Sequence, residues 1–345
     1  MSVRPATPTE LENWDNLIIN NPDGGNIFSS RVYAQQKTEQ GGYHAHFLMV
    51  NGMPVTVLEK RTALFGNYWY LPKGPNVTST KQLFDTLAAL KPYAKKRRVF
   101  VIRIESELAR SQQASIVRHG LKPARPIVPN PSTITLDISP DEETLIASLP
   151  QKGRHAIRRA ERDGVIAEPV PASDANCRTM YRLLQQTAEG QFGIRPYEYY
   201  KTFWQRFEKA GYGQLFFATV EGKVVAGAYA MVLGKKSTYK DGASVRKRPA
   251  YGSSHLLQWR VIQWAKQRGA TLHDFCGSPP SEEIDNPDHP HYGIGRFKQS
   301  FSRHVVDYIG CDDFVINDLA YRAWTKFGER LYHKIYYQRT KDYYY

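Results

Sequence analysis

The sequence predicts an α/β (α+β) fold of two similar domains, each a mixed, largely antiparallel sheet flanked by helices. Three observations predict this. One order of elements runs through the first half and again through the second: helix, antiparallel hairpin, further strand, helix, strand. A strand followed at once by a helix-start signal marks a joint between the halves. The length, 345 residues, suits two domains at roughly 150 residues each.

In the first half, residues 46–50 and 55–58 are apolar runs on either side of Asn51-Gly52, a dipeptide favoured in two-residue hairpin turns because both positions need positive φ. Residues 68–71 read as a strand, 81–97 as a helix and 99–102 as an apolar strand. In the second half, 215–220 and 224–232 flank Glu221-Gly222, and a strand-like run surrounds Thr238-Tyr239. Residues 253–268 have helical spacing and stop at Gly269, before the strand-like 272–275, as a helix does at a left-handed cap. The joint is the strand 133–138 and then Ser139-Pro140-Asp141-Glu142, with Ser at the cap, Pro in the first turn and Glu three residues after the Ser. Leu319, Ala323, Trp324, Phe327, Leu331 and Ile335 recur at helical spacing. They predict a helix that packs this apolar face on the first domain. Tyr343 to Tyr345 read as a frayed end. The expected domains are residues 1–139 with 318–345, and residues 140–317. This element order is the core of the acetyltransferase-like (GNAT-like) fold.

Composition narrows the function classes. Apolar residues make up 41% and charged residues 23%, too apolar a mix for a disordered chain. The first fifteen residues have no apolar run behind a basic end, as a secretory signal requires. The longest nearly apolar stretch, 211–234, is broken by Glu221 and Lys223 and does not suit a bilayer span. Cys177, Cys276 and Cys311 are odd in number and far apart, which excludes a disulfide framework and a four-cysteine zinc site. A cytoplasmic protein is expected.

Lys and Arg number 47 against 33 Asp and Glu, a formal charge of +14. The excess is clustered. Ten basic residues against two Glu lie between Lys91 and Arg125, and six against one Asp between Lys235 and Arg248. Lys152, Arg154, Arg158, Arg159 and Arg162 ring a helical stretch over 151–163. Such stripes attract polyanions, because each neutralised phosphate releases counterions. They favour RNA or a phosphate-bearing partner, with a plain solvated face as the alternative.

Several segments, in order, resemble one family. They are Ile27-Phe28-Ser29-Ser30 with Tyr33 and Lys37; Tyr70-Leu71-Pro72-Lys73-Gly74-Pro75; and Lys152-Gly153-Arg154 with Ile157-Arg158-Arg159-Ala160. Gly193-Ile194-Arg195 with Tyr199, Gly242-Ala243-Ser244, Leu256-Leu257-Gln258-Trp259, Asp274-Phe275-Cys276-Gly277 and Gly295-Arg296-Phe297-Lys298 follow. The series resembles the Fem (FemABX) family of peptidoglycan-bridge aminoacyltransferases, in the short form without a coiled-coil arm, and covers nearly the whole chain.

The resemblance implies transfer of an amino acid from aminoacyl-tRNA to a stem-peptide amine of UDP-MurNAc-pentapeptide or lipid II. The ester is already activated, so no metal or cofactor is implied. The protein must hold two anionic substrates, see the amine deprotonated and stabilise an oxyanion. Lys298 matches the family's lysine beside the acceptor ribose, a role as a positioned cation. Lys37 and Arg195 match the grip on the precursor diphosphate, a point charge and a planar fork suited to phosphate oxygens. Tyr199, four residues after Arg195, shares its helical face, and Tyr70 and Lys73 begin the loop lining the precursor cleft. Lys73 stands where an arginine is frequent. The aromatic residue often found before Gly-Ala-Ser is replaced by Lys240-Asp241, so Tyr239 takes that place by a register change or Asp241 makes its own contact. No carboxylate follows Gly74-Pro75, where Asn76-Val77-Thr78 stand. Asp241, a histidine or the precursor's own carboxylate is the general base. Arg154, Arg158, Lys247 and Arg296 are the expected tRNA contacts.

Other features weigh less. Residues 282–291 hold His, Asp and Glu without calcium or zinc spacing, and Pro287 and Pro290 make them an irregular loop, placed to act as a lid before Lys298. Cys276 reads as a small core residue. Gly252-Ser253-Ser254 opens a helix and could bind phosphate or be a plain cap. Two other functions stay open: a coenzyme-A-dependent N-acyltransferase on a small amine, and a catalytically idle RNA-binding protein.

Overall fold

The computed structural model describes residues 2–128, 131–189, 193–246 and 250–345. The chain divides into two compact units, Met1–Pro131 with Asp307–Tyr345, and Ser132–Val306. The first opens with strand β1 (Val3–Pro5), short helices α1 (Pro8–Glu12) and α2 (Trp14–Ile18), and α3 (Arg31–Gly41). Strands β2 (His44–Val50) and β3 (Met53–Thr62) turn on Asn51 and Gly52, both at positive φ, the turn whose twist matches paired strands. After β4 (Gly66–Leu71), helix α4 (Thr80–Lys96) crosses over and returns β5 (Val99–Ile104) parallel to β4. Ser79 caps α4, whose Leu83, Leu87, Leu90 and Ala94 are buried in the core. Helix α5 (Gln113–Arg118) and strand β6 (Lys122–Pro123) follow.

The second unit repeats the plan. Strand β7 (Ser132–Asp137) leads to α6 (Glu142–Ser148), which Asp141 caps, and to α7 (Gln151–Arg162). Strand β8 (Ile166–Val170), α8 (Asp174–Ala188) and α9 (Tyr197–Lys209) precede the hairpin of β9 (Gly213–Val220) and β10 (Lys223–Leu233). That hairpin turns on Glu221 and Gly222, again both at positive φ. Strand β11 (Lys236–Ser244) is followed by the crossover α10 (Ser253–Gln267) and by β12 (Leu272–Asp274), parallel to β11. Helix α11 (Tyr292–Lys298) and β13 (Val305–Asp307) complete it. The chain then returns to the first unit with β14 (Asp312–Val315) and α12 (Asp318–Ala323), a π-turn over Trp324–Gly328, and α13 (Glu329–Thr340).

Both sheets are seven-stranded, ordered β1-β2-β3-β4-β5-β14-β6 and β13-β7-β12-β11-β10-β9-β8. Each carries a parallel pair, β4–β5 and β11–β12, beside antiparallel hairpins. Strand pairing moves the unit boundaries from the expected 139/140 and 317/318 to 131/132 and 306/307, since β7 pairs with β12 and β14 with β5 and β6. Two expectations for the end of the chain change. Tyr344 and Tyr345 are not frayed: Tyr344 is buried against Trp324 and Tyr332, and the Tyr345 hydroxyl donates to Glu329 at 2.7 Å. The C-terminal helix buries Tyr321, Trp324 and Gly328, while Leu319, Phe327, Leu331 and Ile335 face solvent. Among the described residues no helix is long and apolar enough to cross a membrane.

Candidate functional site

Lys298 ends α11 and is 6% exposed. Its ammonium donates to the carbonyl oxygens of Cys276 and Gly277, the second at 2.6 Å. Those carbonyls lie just past β12, in a turn where Cys276 and Gly277 both have positive φ. Cys276 is therefore a half-buried turn residue rather than the core residue expected. Asp274 braces the turn, accepting from the Thr133 hydroxyl at 2.5 Å and from the Cys276 N–H at 2.7 Å. Burial draws the Lys298 pKa down to about 8, against the opposing pull of Cys276 and Asp274. Carbonyls solvate an ammonium without neutralising it, so the site holds a cation that gives up a proton readily.

His273 is fully buried between Ser237 Oγ at 2.6 Å and Gln258 Nε2 at 2.8 Å. An amide nitrogen only donates, so this contact puts the His273 proton on Nδ1. Burial first, and Lys298 second, hold its pKa at about 3. The ring stays neutral and adds no second cation beside Lys298.

The Lys152-Gly153-Arg154 motif has a packing reason. A Cβ on Gly153 would lie 1.9 Å from the Ser300 carbonyl oxygen, so α7 touches the chain just after Lys298 backbone to backbone. Arg154 donates to the Ala147 and Leu149 carbonyls at 2.7 and 2.5 Å, closing the end of α6. Its charge thus serves the fold. The start of α7 and the segment after Lys298 enclose a cavity of about 530 Å³ lined by Lys152, Arg296, Arg303, Ser300 and Asp285. Arg296 stands 3.8 Å from Asp285, which the loop 282–291 supplies. Arg158 is exposed on α7. Lys247 lies outside the described residues.

Arg195 and Tyr199 come together at the start of α9, with Arg195 just before the helix rather than on a shared helical face. Asp241 of β11 faces α9, whereas Tyr239 packs on the other side of the sheet, against the core of the second unit. The Arg195 guanidinium lies 4.5 Å from the Tyr199 ring centre, and Tyr199 stacks toward Phe203. Asp241 accepts from Trp204 Nε1 at 2.9 Å and from the Lys240 ammonium at 3.0 Å. This links the aromatic face of α9 to β11, and Asp241 is the clasp. The register between β10 and β11 shifts at Tyr229/Ala230, so Lys240 is an extra residue in the pairing. The bulge leaves the Tyr239 ring on the core side of the sheet, crossing Gly242 so closely that a Cβ there would meet its hydroxyl at 1.7 Å.

In the first unit, Tyr70 and Lys73 gather on Glu105, which sequence reading did not single out. The Tyr70 hydroxyl donates to Glu105 Oε2 at 2.5 Å, and the Ile127 and Val128 N–H groups donate to Oε1 at 2.5 and 3.1 Å. Burial raises the Glu105 pKa, while Lys73 and these donors oppose it. Burial also raises that of Tyr70, with Glu105 adding to it. The one signal for Glu105 was its place just past β5, since ligands of open α/β sheets sit outside the carboxyl ends of strands. In the second unit Asp274 ends β12 and Cys276 lies just past it, at the matching place. Lys37 is 3% exposed, its ammonium 5.9 and 5.4 Å from the ring centres of Tyr33 and Tyr43, contacts that offset part of a buried cation's desolvation. Glu105→Ala would leave the Ile127 and Val128 N–H groups without their acceptor, a loss of roughly 1–3 kcal/mol each for a buried group. The expected result is a lower melting temperature than for Glu105→Gln, measured by calorimetry.

Among the described residues, no group of three or more His, Cys, Asp or Glu is placed to hold a metal ion. Gly252 at the start of α10 packs against Ala156, a Cβ there lying 2.1 Å from the Ala156 carbonyl oxygen. Its glycine thus has a packing cause independent of any phosphate.

Residues 149–289 match the acetyltransferase (GNAT) domain family. Over 102 residues the chain is 34% identical to the lipid II:glycine glycyltransferase of Staphylococcus saprophyticus, a match covering 30% of this chain and 24% of that protein. Over 111 residues it is 32% identical to the Staphylococcus epidermidis protein of the same name, covering 32% and 26%. The match thus spans about a quarter of the length of these curated relatives. The crystal structure of FemX superposes with a TM-score of 0.79 over 94% of this chain and 99% of that one, at 19% identity, a likeness of fold. These findings bear out the two-domain acetyltransferase-like fold and the resemblance to the Fem family.

Proposed function

We infer that this chain belongs to the Fem family of acetyltransferase-like proteins, and from that premise we propose a tRNA-dependent aminoacyltransferase of peptidoglycan bridge synthesis. It moves an amino acid from aminoacyl-tRNA to a stem-peptide amine of UDP-MurNAc-pentapeptide or lipid II, on the cytoplasmic side of the membrane. The observation that carries this reading is Lys298, a buried cation held by the Cys276 and Gly277 carbonyls, in a unit that also carries a cavity lined with Lys152, Arg296 and Arg303. Its acceptor class is supported by the relatives that act on lipid II.

In this mechanism the amine attacks the ester carbonyl, a C–N bond forms, and the C–O bond to the ribose breaks. The Lys298 ammonium faces the charge that develops on oxygen, and a pKa of about 8 suits it to return a proton to the departing ribose oxygen. The cationic cavity takes the phosphodiesters next to that ribose. Lys37, Tyr70 and Lys73 of the first unit, and Arg195, Tyr199 and Tyr239 of the second, are each proposed as precursor contacts. Asp241 holds Trp204 and Lys240 in place, so the precursor's own carboxylate or a histidine is left as the base.

The test uses purified protein, tRNA charged with labelled amino acids, and each precursor in turn. Label should move to one precursor, with release from tRNA depending on that precursor. Label that stays on tRNA with both precursors overturns the proposal. Arg296→Glu with Arg303→Glu should weaken binding of charged tRNA and flatten its salt dependence by about 1 in log–log slope per lost phosphate contact.

A further inference from the structure

The C-terminal helix turns an apolar row to solvent. Leu319 is 81% exposed, Phe327 50%, Leu331 43% and Ile335 37%. Leu64, 73% exposed in the turn between β3 and β4, precedes Phe65, whose ring lies 5.7 Å from that of Phe327. Exposed Arg322, Lys326, Arg330 and Lys334 run beside the row, one residue ahead of each step. Between 318 and 341 there are six Lys and Arg against two carboxylates. Both carboxylates are engaged, Glu329 by Arg103 and Tyr345, and Asp318 by Arg322.

The π-turn makes the row a face. In an unbroken α-helix, residues four apart step about 40° around the axis, so positions 319 to 335 would wind out of line. The wider i→i+5 spacing over Trp324–Gly328 takes back part of that rotation. Single exposed apolar side chains are ordinary, but a strip bordered by cations is the pattern of an interfacial helix.

We propose that this face docks on the surface of an anionic lipid bilayer. The apolar row enters the boundary between headgroups and acyl chains, and the flanking cations meet lipid phosphates. Charge complementarity selects this occupant: a second copy of the chain would set two cationic rows against each other, and RNA would leave the apolar row unburied. The docking stands apart from the aminoacyltransferase reading. Together they place the enzyme where a lipid-borne precursor is presented.

Flotation of the full chain with vesicles tests it. Vesicles of phosphatidylcholine mixed with phosphatidylglycerol should carry the protein, those of phosphatidylcholine alone should not, and added salt should weaken the binding. Lys326→Gln and Lys334→Gln should each lower the partition coefficient about fivefold. Leu331→Ser with Phe327→Ser should remove the binding that persists in high salt. All four positions are exposed, and an unchanged melting temperature with unchanged transfer from tRNA to UDP-MurNAc-pentapeptide would show the fold and site intact. Equal flotation of wild type and these variants overturns the proposal. So does a dimer in light scattering that Leu331→Ser dissociates, or capture by uncharged tRNA that the lysine variants alone abolish.

Discussion

Lys298→Met should abolish the proposed transfer while making the protein more stable near neutral pH. The loss of activity follows from removing one positioned donor at a developing oxyanion, worth roughly 10²–10³ in kcat. The gain in stability follows from linkage. Burial lowers the Lys298 pKa from 10.5 to about 8 in the folded state, so the unfolded chain binds the proton more tightly. Below pH 8 the folded state carries the whole cost, and between about 8 and 10.5 that cost fades as pH rises. A neutral methionine of similar length removes it, less roughly 1–3 kcal/mol for each of the Cys276 and Gly277 carbonyls that finds no other donor. The gain at pH 7 is up to about 3 kcal/mol, shrinks through that window and is gone above it. Urea melts at pH 7 and pH 10 read this directly. A variant that is inactive and also less stable at pH 7 would mean that the lysine is a structural strut. Activity itself should decline above pH 8 in the wild type, as the ammonium is lost. In Lys298→Arg, whatever activity survives should keep no such limb, because a guanidinium stays protonated.

Gly153→Ala has the second large effect. The added methyl meets the Ser300 carbonyl oxygen, and neither atom belongs to a flexible side chain. Helix α7 must back away or the chain after Lys298 must shift. Overpacking of this kind costs about 1–3 kcal/mol. A displacement near 1 Å at the lysine costs on the order of 10²-fold in rate. The matched control is Gly293→Ala, on α11 itself, where a Cβ would have nothing within 4 Å. The first variant should melt several degrees lower and transfer poorly, and the second should match wild type. Equal behaviour of the two would remove the close approach from the argument.

The legible parts of this fold were those governed by local chemistry. Asn51-Gly52 and Glu221-Gly222 turn their hairpins as their φ preferences demand. Lys298, Arg195 and Tyr199 were singled out only through the ordered resemblance, because a lysine in a basic segment carries no local mark of burial. Glu105 escaped because its partners are backbone N–H groups of residues 127 and 128 and a tyrosine 35 positions back. The turn carbonyls that hold Lys298 escaped because a carbonyl has no residue type. The C-terminal helix misled for a definite reason. Its apolar residues recur every four positions, which sequence reading equates with a buried face, but of those expected Trp324 is the one fully buried, together with Tyr321, and the π-turn shifts the phase after them.

Strand β14 imposes an order of events on synthesis. It lies between β5 and β6, although more than 180 residues separate it in sequence from β6. Asp313 on this strand pairs with Arg103 of β5, both buried, with N–O distances of 2.8 and 2.9 Å. As the chain leaves the ribosome, the amino-terminal unit therefore waits with a gap in its sheet and an unmatched guanidinium. The second unit, continuous from 132 to 306, has all its strands but the last residue of β13 and can close first. Translation thus delivers the later half folded and the earlier half open, with exposed strand edges that invite wrong pairing. Slowing elongation through 132–306 should lengthen that interval and increase aggregation.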